Sequence, residues 1–358
     1  MFAPLLWLRR ERKGKRARPI RRPPVTVVIA AKNEDDNLRH YLPKILEQDY
    51  PEYEVIVVDD GSEDNTEVLL DEYTRRYPHL KHTFVPPRTR LISTKKLALT
   101  LAAKAAKYDY LLLTDADCRP RSKNWITEMM SGFTEGKSVV LGIGAYFYDK
   151  KSINPIIQYD TLFNGLQYTG MALSRHPYMG VGRNLAYKKD IFFQSGGFTH
   201  ISFTRAGDDD LLVNCIADRR NTAVVITPES ITFSRPKQSF RQWLQQKERH
   251  LGVSPQYRFS TKLRLTIEPL SRLVFFLELA AVCWFAYYLS LPWLYAVAGG
   301  CFLLRWLLQT LALNLSARKM RIRRVNPLLI PLLDIYLPVN NLFLLLHYAV
   351  IGKRMQKW

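Results

Sequence analysis

The chain predicts an α/β fold, a doubly wound and mostly parallel sheet, followed by a C-terminal α-helical membrane region. Three observations carry this expectation. From Val25 to Leu113, short β-rich apolar runs alternate with segments of helical spacing, which is the rhythm of βαβ units. The strand runs are continuously apolar rather than alternating, as expected of strands covered on both faces. Beyond Leu273 the chain is mostly apolar, in segments of about 20 residues, and that length spans a bilayer.

Taken in order, Val25–Ala31 is the first strand, and Asn33–Gln48 carries Leu38, Tyr41, Leu42 and Ile45 at helical spacing. Glu54–Asp59 is a second buried strand, and Asp64–Tyr77 a helix that opens on capping residues. Lys81–Val85 is a short strand, Ser93–Lys107 an Ala/Leu/Lys-rich helix, and Tyr110–Leu113 a strand buried on both faces. Val139–Tyr148 reads as one further strand, Asn154–Leu173 as a helix, and Gly180–Ala186 as a glycine-bearing loop into a strand. Gly196-Gly197-Phe198 is a turn, Asp209–Asp218 a helix and Ala223–Ile226 a short strand. Phe240–His250 sets Phe240, Trp243 and Leu244 opposite basic residues. Such an amphipathic helix lies on a membrane surface or packs on the domain. The boundaries are a basic arm at 1–24, a catalytic α/β domain at 25–238, an interfacial region at 239–268 and a membrane region at 269–358.

The 358 residues carry a formal net charge of +20, unevenly spread. Arg9–Arg22 holds nine basic residues against one acid, and Arg318–Arg324 is a second basic cluster inside the apolar region. Basic clusters beside apolar spans point to anionic membrane lipids as partner. Nucleic acid is not expected, because the charge flanks hydrophobic spans instead of forming an aromatic-studded basic face. Cys118, Cys215, Cys283 and Cys301 form no metal-spaced pair and no disulfide framework. Met1–Leu8 is apolar but too short to cross a bilayer, and it precedes its basic run, the reverse of a secretory signal.

Leu273–Leu291 and Trp293–Leu315 are each long enough to span. The uncharged link Ser290–Pro292 suits the outside and Arg318–Arg324 the cytoplasm. Leu328–Ile351 contains Pro331, Asp334, Pro338, Asn340 and Asn341 before the basic tail Lys353–Lys357. As a third span it would place that tail outside; a re-entrant hairpin bent near Pro338–Asn341 would not. In either arrangement, Asp334 is expected against the helix bundle and not in lipid.

Chemistry concentrates at strand ends. Asp115 and Asp117 follow the Tyr110–Leu113 strand one residue apart, and on an extended segment they share a face. Two such carboxylates at the carboxyl edge of a sheet suit a divalent metal carrying a phosphate, although a capped turn would look the same. Asn33-Glu34 and Asp59-Asp60-Gly61-Ser62 follow the first two strands, where carboxylates can bond a base or ribose. Lys95 could meet a phosphate. Asp208-Asp209-Asp210 exceeds what helix capping requires, and a carboxylate there could serve as general base. Gln246 and Arg249 offer an amide and a guanidinium one turn apart.

In this order, Asn33-Glu34, Asp59-Asp60-Gly61-Ser62, Lys95-x-x-Ala98-Leu99, Asp115-Ala116-Asp117, Gly207-Asp208-Asp209 and Gln246-x-x-Arg249 resemble the family 2 inverting glycosyltransferases of GT-A fold. The likeness is to the membrane-integrated branch of hyaluronan, cellulose and poly-N-acetylglucosamine synthases. It implies that Asn33, Glu34, Asp60, Lys95 and Asp115 bind a nucleotide sugar, with uridine as the nucleotide. It also implies that Asp117, with Asp115, holds Mg²⁺ or Mn²⁺. Asp209 would be the catalytic base, with Asp208 the alternative, since three consecutive acids permit a shift of one position. Gly180–Ala186 resembles the loop lining the acceptor side, which brings in Gly182 and Asn184, and Gln246, Arg249 and His250 would meet acceptor or diphosphate. The acceptor would be a polysaccharide or a lipid, and the setting a bacterial inner membrane with the catalytic domain in the cytoplasm. Two departures stand out: His250 replaces the tryptophan of the processive pattern, and the membrane region is short. Both leave single-sugar transfer to a lipid beside polymerisation. A silent nucleotide-binding membrane scaffold and a nucleotidyltransferase are the readings from other classes.

Overall fold

The computed structural model describes residues 22–86, 93–151, 153–201 and 206–347. Met1–Leu8, the basic run as far as Arg21, the last positions of the third apolar segment and the tail Lys353–Lys357 lie outside these residues. The chain forms two compact units with interleaved boundaries. One takes the chain up to Tyr148 and again Asn164–Pro236; the other takes Asp149–Phe163 and everything from Lys237.

The first unit is built on a seven-stranded sheet. Its strands are β1 (Val25–Ala31), β2 (Tyr53–Asp59), β3 (Leu80–Phe84), β4 (Tyr110–Leu113), β6 (Val139–Leu141), β8 (Leu185–Lys188) and β9 (Thr222–Val224), in the order β3-β2-β1-β4-β8-β6-β9. β1 to β4 are mutually parallel, while β8 runs antiparallel to both β4 and β6. Helices α1 (Asp35–Leu46), α2 (Thr66–Arg76) and α3 (Thr94–Ala105) make the crossovers. Val27 and Val28 point to opposite faces, and both are buried. The continuously apolar strands are therefore covered on two sides, with Leu38, Leu42 and Leu70 in the core.

The expected single strand Val139–Tyr148 is two strands in two sheets. β6 ends at Leu141, and β7 (Gly144–Tyr146) joins a three-stranded sheet, β5-β10-β7, with β5 (Cys118–Pro120) and β10 (Thr232–Ser234). Gly142 lies at the break, where a Cβ would sit 2.5 Å from the Asn184 side chain. A continuous strand would have to carry a side chain through that space. α4 (Trp125–Met130) follows β5, α5 spans Asn154–Leu173, α6 spans Lys189–Gln194, and α7 spans Asp210–Ile216.

The second unit holds α8 (Phe240–Leu251), α9 (Phe259–Tyr288), α10 (Trp293–Lys319) and α11 (Ile330–His347). Three helical segments, Phe259–Tyr288, Trp293–Lys319 and Pro327–His347, are long and apolar enough to cross a membrane. α9 runs unbroken through Pro269, and α11 runs unbroken through Pro338, so no hairpin bends at Pro338–Asn341. An unbroken helix keeps its backbone groups paired internally, which a bend at membrane depth would not. Asp334, 1% exposed, faces the bundle as expected. Its carboxylate takes hydrogen bonds from Arg305 Nη2 (2.7 Å), Gln309 Nε2 (2.9 Å) and Arg272 Nη1 (3.2 Å). On α8, Trp243 is buried, and Lys247 Nζ donates to Asp160 Oδ1 at 2.8 Å. Asp160 belongs to the first half of α5, which lies in this unit; the second half lies in the other.

Candidate active site

Because β1, β2 and β4 are parallel, their carboxyl ends share one edge. The strand order reverses between β1 and β4, where open α/β sheets take ligands. Asn33, just past β1, adopts φ +54°, a left-handed conformation that Asn tolerates. Its amide N–H donates to Ser62 Oγ (2.8 Å), and its Oδ1 accepts from the Glu63 N–H (2.7 Å). The loops after β1 and β2 are thus stitched together. Glu34 sits beside them, with Oε2 accepting from Asn37 Nδ2 at 2.6 Å. Asp59 takes the Ser62 N–H and closes the turn, whereas Asp60 Oδ2 takes the Thr94 hydroxyl at 2.7 Å. The other Asp60 oxygen is buried with no partner among the described residues. Burial raises this carboxyl, with the Thr94 bond pulling the other way.

Asp115 and Asp117 converge by a different route from strand alternation. β4 stops at Leu113, and Asp115–Cys118 forms a turn closed by the Cys118 N–H on the Asp115 carbonyl (3.0 Å). The turn brings ligand atoms of Asp115, Asp117 and Cys118 within 4.8 Å of one another. Burial and the two neighbouring carboxylates hold the Cys118 thiol far above its usual range, and it donates to Asp117 Oδ1 at 3.3 Å. Two carboxylates gathered on one turn fit a hard divalent cation.

Lys95, at the start of α3, joins this turn to the acid run. Its ammonium lies 3.1 Å from Asp115 Oδ1 and 3.0 Å from Asp208 Oδ2. Burial would raise the Asp208 carboxyl, but Lys95 overrides it and holds it below the ordinary value. Asp209 behaves oppositely. Burial and the adjacent Asp208 charge push it up to about 6, against hydrogen bonds from the Gly182 N–H (2.8 Å) and the Asp210 N–H (2.8 Å). Gly207 precedes the run at φ +88°, where a Cβ would also meet Leu211 at 2.6 Å, so glycine is required there.

The loop before β8 presents Gly182 to Asp209, whereas Asn184 is turned into the core. At 0% exposure, Asn184 donates to the Ile143 and Ser230 carbonyls (2.8 Å each) and accepts from Trp125 Nε1 (3.0 Å). It has no surface to offer an acceptor and instead braces both sheets. Gln246, Arg249 and His250 lie on α8, in the second unit, with Arg249 and His250 exposed.

Two further cations were not legible as site residues. Lys96 is 3% exposed and donates to the Ile201 carbonyl (2.6 Å) and the Ala206 carbonyl (2.9 Å), on either side of the passage into Gly207. Its only signal was its position beside Lys95. Arg183 places its guanidinium 4.3 Å from the Tyr146 ring centroid and donates to Ser234 Oγ at 3.0 Å. The Arg183 carbonyl also takes the Thr114 hydroxyl (3.1 Å), tying this loop to the end of β4.

The sequence profile of Glycosyl transferase family 2 matches residues 26–204, half of the chain. The chain belongs to this glycosyltransferase family. Poly-beta-1,6-N-acetyl-D-glucosamine synthase of Staphylococcus epidermidis is 31% identical to this glycosyltransferase over 93 residues, which cover 26% of this chain and 21% of that one. Hyaluronan synthase of Streptococcus pyogenes is 25% identical over 211 residues, covering 55% and 49% respectively. The matches thus span about a fifth to a half of these relatives' lengths. Among solved structures, mannosyltransferase PcManGT from Pyrobaculum calidifontis, in complex with GDP-Man and Mn2+, superposes with a TM-score of 0.54 at 21% identity. That likeness covers 89% of this chain and 94% of the other. The fold is of the GT-A type, an α/β sheet followed by C-terminal helices.

Proposed function

We propose that this glycosyltransferase is membrane-bound and moves a sugar from a nucleotide sugar to a hydroxyl of a polysaccharide or lipid, by a single displacement that inverts the anomeric carbon. The observation carrying this reading is the division of labour within one acid run. Lys95 keeps Asp208 ionised, while Asp209, beside it, is pushed to a basicity near neutrality and fixed by two backbone N–H groups. A carboxylate of that kind is suited to take a proton from an acceptor hydroxyl.

Asp209 accepts that proton as the hydroxyl oxygen attacks the anomeric carbon, and the nucleoside diphosphate departs from the opposite side. The unpartnered Asp60 oxygen, with Asn33 and Glu34, lies at the edge where base and ribose would bind. Lys95 opposes negative charge arriving beside Asp115. When bound at Asp117 and Asp115, Mg²⁺ or Mn²⁺ supplies positive charge to the leaving diphosphate. A UDP-sugar is the first donor to test, and GDP-mannose, the donor in the mannosyltransferase complex, is the second. Gln246, Arg249 and His250 would serve acceptor or diphosphate from α8. The three apolar helices would anchor the enzyme in the inner membrane, with the catalytic unit cytoplasmic.

Asp209→Asn is expected to lower transfer by at least roughly 10²-fold, the usual contribution of a general base, with nucleotide affinity nearly unchanged by calorimetry. Wild-type turnover would refute the assignment. Asp117→Ala should instead weaken nucleotide binding only when metal is present; equal affinity with and without metal would remove Asp117 from that role. His250 in place of a stacking tryptophan favours transfer of one sugar to a lipid as the second reading. Product size with one labelled donor separates it from polymer synthesis. Absence of both transfer and donor hydrolysis would return the scaffold reading.

A further inference from the structure

We propose that the outer face of the three-stranded sheet docks on the phosphate groups of an anionic bilayer. The inference rests on the membrane-bound reading above. Strand register sorts the residues of this sheet. Phe233 pairs with Arg119 and with Ala145, and Ser234 pairs with Cys118 and Tyr146. Cys118 and Ser234 are buried on the face that meets Arg183. The opposite face carries Arg119, Arg121 and Arg235, all exposed.

These arginines are laid on a stack of rings. Phe147 stacks on Phe233 with centroids 5.5 Å apart, and Tyr41 of α1 stacks on Phe147 at 6.2 Å. The Arg119 guanidinium lies 4.9 Å from the centroid of Phe147, Arg121 lies 5.8 Å from Phe233, and Arg235 lies 5.9 Å from Tyr41. Arg235 Nε also donates to the Tyr41 hydroxyl at 3.1 Å. Residues 118–121, 144–148 and 232–235 include no acid.

The stack discriminates between partners. Its rings are occupied by one another and by guanidiniums, so they are poorly placed to stack on sugar rings. A planar guanidinium resting on a ring still directs in-plane N–H groups outward, a geometry matched to phosphate oxygens. The bilayer is the phosphate source the chain itself supplies. The chain passes into the unit bearing the three apolar helices directly after Tyr148 and after Pro236, next to Phe147 and Arg235. The charge of +20 suits an anionic surface.

The test is arginine labelling of the full chain in nanodiscs, with phenylglyoxal and mass spectrometry. Discs of phosphatidylcholine are compared with discs containing about one third phosphatidylglycerol. Each basic residue near an anionic surface contributes roughly fivefold in partitioning. Labelling of Arg119, Arg121 and Arg235 is therefore expected to fall several-fold in the anionic discs and to recover at high salt, while Arg75 on α2 stays constant. Equal labelling of the three in both discs overturns the proposal. Protection by soluble dextran sulfate but not by phosphatidylglycerol also overturns it, in favour of an acidic polymer. Failure of the chain to co-elute with discs would instead sink the membrane-bound reading on which the proposal stands.

Discussion

At the scale of single residues, the proposed reading rests on Asp209 and on Lys96, which holds the approach to the acid run. With its carboxyl raised to about 6, Asp209 as the proposed base would act only once ionised, so kcat/KM should climb through about pH 6 to a plateau. A profile flat from pH 5 to 8 would count against Asp209. The stability linkage has the opposite sign. Because the folded-state value lies above the ordinary carboxylate value, protonated Asp209 stabilises the fold below about pH 4. That contribution is lost as the pH rises through about 6. The charged groups acting on Asp209 are Asp208, Lys95 and Lys96, and Asp210 meets it through its backbone N–H. Lys96→Met leaves the Ile201 and Ala206 carbonyls without the ammonium. It is expected to lower kcat by roughly tenfold or more, with a smaller change in donor KM, and Lys96→Arg should restore part of the loss. Unchanged kcat in Lys96→Met would show that Lys96 does not hold the acid run in place.

At the scale of elements, the parallel half of the sheet was legible because its strands and helices each carry a clean period. β1 and β4 coincide with their apolar runs, and α5 with its predicted span. Legibility failed where tertiary contacts, not period, decide. The break at Gly142 depends on Asn184, 42 positions on, and β5 and β10 have only three residues each. The site followed the same rule. Acids at strand ends were visible because they are local to their strands. The burial of Asn184 and the partners of Lys96 depend on residues distant in sequence, whereas Asp115 and Asp117 are gathered by a local turn in place of the extended segment that alternation predicted. Gly142→Ala tests the break directly. The new Cβ would force Asn184 away from Trp125 and two carbonyls, so the melting temperature should fall by several degrees, equivalent to about 2–3 kcal/mol. A melt equal to wild type would show that the junction yields easily.

For the molecule as a whole, hydropathy announced the three apolar helices, and Asp334 announced a polar centre inside them, although not its partners. Asp334→Ala removes the carboxylate that receives Arg272, Arg305 and Gln309. Arg305 then loses its carboxylate partner, and Arg272 keeps Glu268 but loses Asp334. Loss of about 3–5 kcal/mol is the usual result of removing one side of a buried pair, and thermal melts in detergent should show it as a large drop. Asp334→Asn should lose less, because an amide oxygen still accepts. Equal melting of Asp334→Ala and wild type would mean that water replaces the carboxylate.

α5 bears on how this enzyme can be divided and how it can diverge. Its first half packs with the helical unit, through Asp160 on Lys247 and through Phe163 beneath the Arg272 guanidinium at 4.5 Å. A chain ended after Pro236 would keep Asp160 and Phe163 but lose both partners, leaving a carboxylate and an aromatic ring bared on a helix end. Trimming away the apolar helices therefore strips the first half of α5 of the partners it packs on. By the same token, the helical unit is not a cassette that recombination can exchange at one crossover. A functional chimera has to import residues 149–163 together with the C-terminal region.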